Sequence, residues 1–213
     1  MRTSEVIDRL LDAHGRTYAD EAGITLRDKP APLYQLLVLT VLCSARISAG
    51  TATAAARELF ADGLRTPRAM ADSARRKRVE ALGRAHYVRY DESTATALGE
   101  GAELVLDRFR GDLRGLREEA GGDLDALRSL LREVPRIGPV GADIFCREAQ
   151  AVWPELRPFF DRRSLAAAES LGLPRTPAGL ARLVPPEELA RLAAALVRAG
   201  LAGGSARKPR ADA

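Results

Sequence analysis

The sequence predicts an all-α protein, and three observations carry that expectation. Of its 213 residues 46% are apolar but only 5% aromatic, so the core must be built from Leu, Ala and Val. Ala, Leu, Arg and Glu, the residues with the lowest helix cost, dominate the rest. Apolar residues recur at helical spacing, and no window alternates in the way a half-buried strand requires.

The elements follow in order. Ser4 is placed to cap a first helix with Val6, Ile7, Leu10 and Leu11 on one face. After a polar connection, LYQLLVLTVLCSA is apolar on nearly every side, which marks a buried central helix. ISAGTATAAARELFAD is an Ala-rich helix. Thr66 followed by Pro67 combines an N-cap with a proline at the first helical position. ARRKRVEALG reads as a short basic helix closed by Gly83, with RRKR as a solvated face. DESTATALGEGAELVLDRF is a longer helix, and EEAGGD a Gly-rich break. Asp123 then caps LDALRSLLREV, whose leucines form a stripe. Helices follow over GADIFCREAQAVW and within PELRPFFDRRSLAAAESLG, and Thr176–Pro177 and Pro185–Pro186 start two more. The tail from 202 to 213 has little to bury and is expected to be disordered.

Charge and composition bound the function. Lys plus Arg number 33 against 29 acidic residues, a net charge of +4 carried almost wholly by Arg. Arg suits phosphate contacts, although a GC-rich genome enriches it too. Two cysteines, Cys43 and Cys146, and two histidines, His14 and His86, supply neither a disulfide framework nor a metal cluster. The N-terminal stretch is an amphipathic helix rather than a signal peptide, and no apolar run approaches a membrane span. A soluble, cytoplasmic protein without a metal cluster or cofactor is the expectation.

One stretch stands apart. In LREVPRIGPVGADIFCREA two helix-like runs flank Pro135, Arg136, Ile137, Gly138, Pro139, Val140 and Gly141. Pro135 ends one helix, and Gly138 is expected to take a conformation closed to other residues. The corner can serve packing alone. It can also grip a phosphate, because a tight hairpin feeding a helix start leaves backbone amides unpaired. On that reading Gly141 lets the phosphate approach, and Arg132, Arg136 and Arg147 flank the contact. Backbone contacts of this kind hold DNA without reading sequence.

VPRIGPVGADIF resembles the hairpin of the helix-hairpin-helix DNA glycosylases, the superfamily of endonuclease III. In that pattern a catalytic Asp follows the second helix and a short loop, and Asp161 in PFFDRRSLAAA stands where it belongs. PLYQLLVLTVLCSARIS is similar to the family's buried helix, so the resemblance runs from about Pro32 to Leu201. It implies a two-lobe helical fold, with 1–46 and 135–201 as one lobe and 47–134 as the other. It further implies double-stranded DNA, damaged or mismatched, as the partner.

The departures are informative. Arg136 replaces the hairpin's first Gly, Val140 stands where bifunctional members hold a Schiff-base lysine, and Arg46 replaces a duplex-probing Gln. The four-cysteine iron–sulfur loop has no counterpart in these residues. The resemblance therefore implies a monofunctional glycosylase, since Val offers no amine for strand elimination. Asp161 would stabilise the sugar cation and handle a water; as a residue in its own right it is also a good cap for the helix that follows. Arg46 fits a wedge that fills the gap left by a flipped base, a phosphate contact or an ion pair. In GRAHYVRY, Arg84 and His86 are further duplex-probing candidates, while Tyr87 and Tyr90 suit the core. Trp153 is expected to pack under the loop that presents Asp161. A catalytically silent DNA-binding relative of the same fold, and a helical adaptor whose hairpin only packs, are the alternatives.

Overall fold

A computed structural model describes residues 2–206, and these contain helices, turns and loops but no strand. Thirteen α-helices follow in order: α1 Thr3–His14, α2 Tyr18–Glu21, α3 Pro30–Cys43, α4 Ala49–Ala61, α5 Pro67–Ala71, α6 Arg75–Arg84, α7 Asp91–Phe109, α8 Arg114–Ala120, α9 Leu124–Leu131, α10 Pro139–Ala149, α11 Arg162–Ser170, α12 Pro177–Ala181 and α13 Leu189–Ala206. Single 3-10 turns at Pro154–Leu156 and Pro186–Glu188 precede α11 and α13.

Cap chemistry explains most boundaries. The hydroxyls of Ser48, Thr66 and Thr176 accept from the third residue of α4, α5 and α12, and Asp123 accepts two amides at the start of α9. Other boundaries differ from expectation. Ser4 lies inside α1, whose cap is Arg2; the Glu5 carboxylate accepts from the Arg2 amide at 3.2 Å. Helix α6 runs through Gly83 to Arg84, and the left-handed residue that turns the chain is His86, at φ 57°. The four-residue α2 is too short to leave a periodic trace, and α8 occupies part of the expected Gly-rich break. Arg78, read as part of a solvated face, is buried and donates to the carbonyls of Met70 and Ser73. Residues 202–206 continue α13; the rest of the expected tail, 207–213, lies outside the described residues.

Two hydrophobic clusters hold the chain together. The larger draws on residues from Tyr18 to Phe159, with Val197, and has α3 at its centre: Leu33, Leu36, Leu39 and Leu42 are wholly buried. The smaller joins α1 to α11, α12 and α13 through Ile7, Leu10, Phe160, Ala168, Leu180 and Leu196. Consecutive phenylalanines serve different clusters, Phe159 the larger and Phe160 the smaller. Asp161, the next residue, therefore emerges at the seam between them.

Candidate active site

The hairpin between α9 and α10 is a tight turn in which Ile137 N–H donates to the Val134 carbonyl at 3.0 Å. Pro135 occupies the second position and Arg136 the third, at φ 70°. A turn of this kind requires a left-handed third residue, usually Gly. Arg136 thus keeps the turn geometry at a steric cost, and the residue expected to need glycine, Gly138, does not: it sits at φ −93°. The Arg136 side chain reaches sideways, donating to Ser93 Oγ at 2.7 Å and lying over the Tyr90 ring at 5.7 Å.

Gly138 caps α10 without any side-chain bond, and Pro139 fills the first helical position. The amides at this helix start have no intrahelical acceptor by position, which favours an anion in front of them. Gly141 has a packing role that its sequence context does not reveal. A Cβ there would meet Ser44 Oγ at 2.5 Å and Ile137 Cγ2 at 3.1 Å, so its bareness lets α10 approach the end of α3. It is buried and offers no surface to a phosphate, which corrects the sequence reading.

Asp161 is 7% exposed. Its Oδ1 accepts the Ser164 amide at 2.8 Å, capping α11, and its Oδ2 accepts from Arg147 Nη1 at 2.5 Å. Arg147, expected to flank the phosphate contact, is 3% exposed and faces inward. Burial alone would depress the Arg147 guanidinium, but the carboxylates of Asp161 and Glu148 outweigh it and hold the group above its ordinary value. Glu148, 1% exposed, accepts the Ala19 amide at 2.9 Å; burial raises its carboxyl. Gln150 fixes the segment before Asp161 in both directions, donating to the Phe159 carbonyl at 2.8 Å and accepting the Phe159 amide at 3.0 Å. Trp153 is wholly buried beneath this loop, its indole N–H on Asp28 Oδ1 at 3.1 Å.

A cavity of about 190 Å³ opens beside Asp161. Val140 and Ile144 of α10, Cys43 at the end of α3, Ile47 and Ser48 from the α3–α4 connection, and Val197 and Leu201 of α13 wall it, and Tyr18, Arg147 and Arg163 also line it. Val140 is 52% exposed and borders this cavity, and among the described residues no lysine does. Burial pushes the Cys43 thiol up to about 12, so it is a neutral wall rather than a nucleophile.

Hairpin, cavity and Asp161 are thus brought together by the fold. The segment 86–93 joins them, because Arg136 binds Ser93 and the Tyr87 hydroxyl donates to the Leu42 carbonyl at the end of α3. His86 and Val88 are exposed on this segment. Arg46 is exposed in the α3–α4 connection and makes no hydrogen bond or ion pair among the described residues. Arg84 is otherwise engaged: it donates to Glu58 at 2.7 Å and to Asp62 at 2.8 Å. Sequence reasoning missed Tyr18 and Gln150, and misplaced Arg147. Tyr18 belongs to a helix of four residues, and Gln150 has no partner pattern in sequence.

Among the described residues no three His, Cys, Asp or Glu side chains gather as a metal site, and no helix is long and apolar enough to cross a membrane. A four-thiolate cluster does not fit this chain, whose two cysteines lie on α3 and α10, Cys146 buried and Cys43 partly so.

No family model and no curated protein matches the sequence. Solved structures do. A trapped covalent intermediate of endonuclease III with DNA, an estranged-adenine complex, is similar at 16% identity and a TM-score of 0.54, over 99% of this chain and 92% of that one. A non-covalent endonuclease III–DNA complex is similar at 18% identity and a TM-score of 0.53, over 99% and 91%. At that identity the likeness speaks to architecture, and the chain has the all-helical endonuclease III-like fold.

Proposed function

We propose that the protein is a monofunctional DNA glycosylase that flips a damaged or mismatched base from duplex DNA and hydrolyses its glycosidic bond. The observation that carries this reading is the placement of Asp161: a carboxylate, held by a helix cap, at a cavity directly behind an amide-rich hairpin. In the reaction the bond between sugar and base breaks with its electron pair leaving on the base. Asp161 stabilises the cation that builds on the sugar and accepts the proton of the water that adds to it, and the departing base anion takes up a proton in turn. Val140 borders the cavity where a Schiff-base amine would be needed, and a Val side chain cannot supply one, so on this reading the strand stays intact. The hairpin amides, with exposed Arg132 and Arg136, hold the phosphates, and Arg46 and His86 are placed to probe the duplex.

The division into lobes at residues 46–47 and 134–135, a monomeric state, a cytoplasmic location at the nucleoid and the lack of a cofactor belong to the same proposal. A second reading, a catalytically silent DNA-binding protein, is favoured by one contact: Arg147 neutralises much of the charge on Asp161. Incubation with duplexes carrying a panel of lesions, followed by alkali, separates the two. Strand breaks only after alkali support the glycosylase; tight binding without any alkali-labile site supports the silent binder.

A further inference from the structure

The cavity beside Asp161 holds a donor that the hydrolysis does not use. Arg147 borders the cavity and gives one Nη1 proton to Asp161. It makes no other hydrogen bond among the described residues: Nε is buried and faces Glu148 Oε1 in a 4.0 Å ion pair, which leaves Nη2 as the unused end of the guanidinium. A guanidinium carries five N–H donors, and buried donors are normally matched. Tyr18 lies beside it. It is 4% exposed, borders the same cavity, packs against Arg147 with 5.5 Å between guanidinium carbon and ring centre, and its hydroxyl has no partner among the described residues. The remaining walls are largely apolar, from Ile47, Val140, Ile144 and Val197. A mostly apolar ligand with an oxygen acceptor on its edge would match these walls and this donor.

We propose that Arg147, assisted by Tyr18, is the specificity-determining group of this cavity, donating to a carbonyl oxygen on the edge of an inserted base. The inference rests on the reading that the cavity receives a base. It names the substrate class: neutral bases with a carbonyl edge. Cationic, ring-alkylated bases are the weaker ligands, because a guanidinium that donates to the base edge repels a like charge there.

Equilibrium binding by fluorescence anisotropy tests this with the whole chain. Three duplexes carry 2′-fluorothymidine, its apolar isostere difluorotoluene nucleoside, or 2′-fluoro-7-methylguanosine, each opposite a tetrahydrofuran spacer so that no pairing must be surrendered. The 2′-fluorine suppresses bond cleavage by opposing the sugar cation. Wild-type protein should bind the thymine duplex about tenfold or more tightly than the isostere, the scale of a hydrogen bond to a charged group, and the cationic base more weakly still. Tyr18→Phe should narrow the thymine preference and Arg147→Gln should abolish it. Arg147→Gln also disturbs Asp161, so the wild-type comparison decides if that variant does not fold. Equal affinity for thymine and isostere, or a preference for the cationic base, overturns the recognition role while leaving the cavity as the base site. Affinity for all three no greater than for undamaged duplex removes the base-site reading itself, and this inference with it.

Discussion

Arg147 Nη1 lies 2.5 Å from Asp161 Oδ2, and neither residue is more than 7% exposed. The pair ties the helix that follows the hairpin to the helix that Asp161 caps. From the sequence, Asn at position 161 would cap as well as Asp and fold unharmed. The ion pair changes that expectation. Asp161→Asn keeps one acceptor but leaves a buried guanidinium short of its counter-charge, and the loss should be about 2–3 kcal/mol, below the full cost of breaking a buried pair. Urea denaturation measures it. An unchanged midpoint would mean that the pair contributes nothing to the fold.

Glu148 gives a pH signature. Burial raises its carboxyl above the ordinary value of 4.5, so the folded state holds its proton more tightly than the unfolded chain does. Stability from this group is present in full below that ordinary value and is lost as pH rises through the raised one. Glu148→Gln removes the loss. The variant should gain on wild type progressively as pH climbs out of the carboxylate range. A constant difference between the two denaturation midpoints across pH 4 to 8 would contradict it.

Glycine positions in the hairpin supply a contrast. Gly141→Ala forces a Cβ against Ser44 and Ile137 and should destabilise by about 1–3 kcal/mol. Gly138→Ala meets nothing within 4 Å and needs no left-handed backbone, so it should be neutral or slightly stabilising. Thermal denaturation of the two variants checks the order.

Arg136→Gly should stabilise the fold. It relieves a left-handed side chain, worth roughly 1–2 kcal/mol, and forfeits an exposed contact to Ser93 worth less. A fall in melting temperature would show that the Arg136–Ser93–Tyr90 contacts outweigh backbone strain.

These positions show what was legible in the sequence. Helix α3, buried on all sides, and the caps at Thr66, Asp123 and Thr176 stood out because periodicity and cap chemistry are local. Asp161 was singled out by the resemblance, which puts a catalytic Asp after the hairpin's second helix; its own local pattern pointed only to a helix cap. The roles of Gly138 and Gly141 were not legible: one turns on a backbone angle, the other on Ser44, almost a hundred positions away in the chain. Arg147 looked like any arginine on an amphipathic helix, since its inward direction depends on how α10 meets α2 and α11. Tyr18 was hidden for the same reason.

Salt dependence separates free arginines from engaged ones. Binding to duplex DNA should weaken with salt because phosphate contacts release counterions. Arg46→Ala should lower the slope by about one contact. Arg84→Ala should leave it unchanged, because Arg84 is held by Glu58 and Asp62. The reverse ranking would place the DNA on the other face of α4.

The central claim is that Asp161 drives hydrolysis of a flipped base. The direct measurement is single-turnover base release by wild type and by Asp161→Asn on the same lesion duplex, at concentrations where both are bound. The account expects alkali-labile sites from wild type alone, an intact strand before alkali, no borohydride-trapped adduct, and DNA affinity in the variant equal to or above wild type. Losing the carboxylate charge in a site shielded from water should cost several orders of ten in rate. Equal release by both proteins would contradict the role of Asp161; no release by wild type from any lesion, with tight binding retained, would establish the silent binder instead.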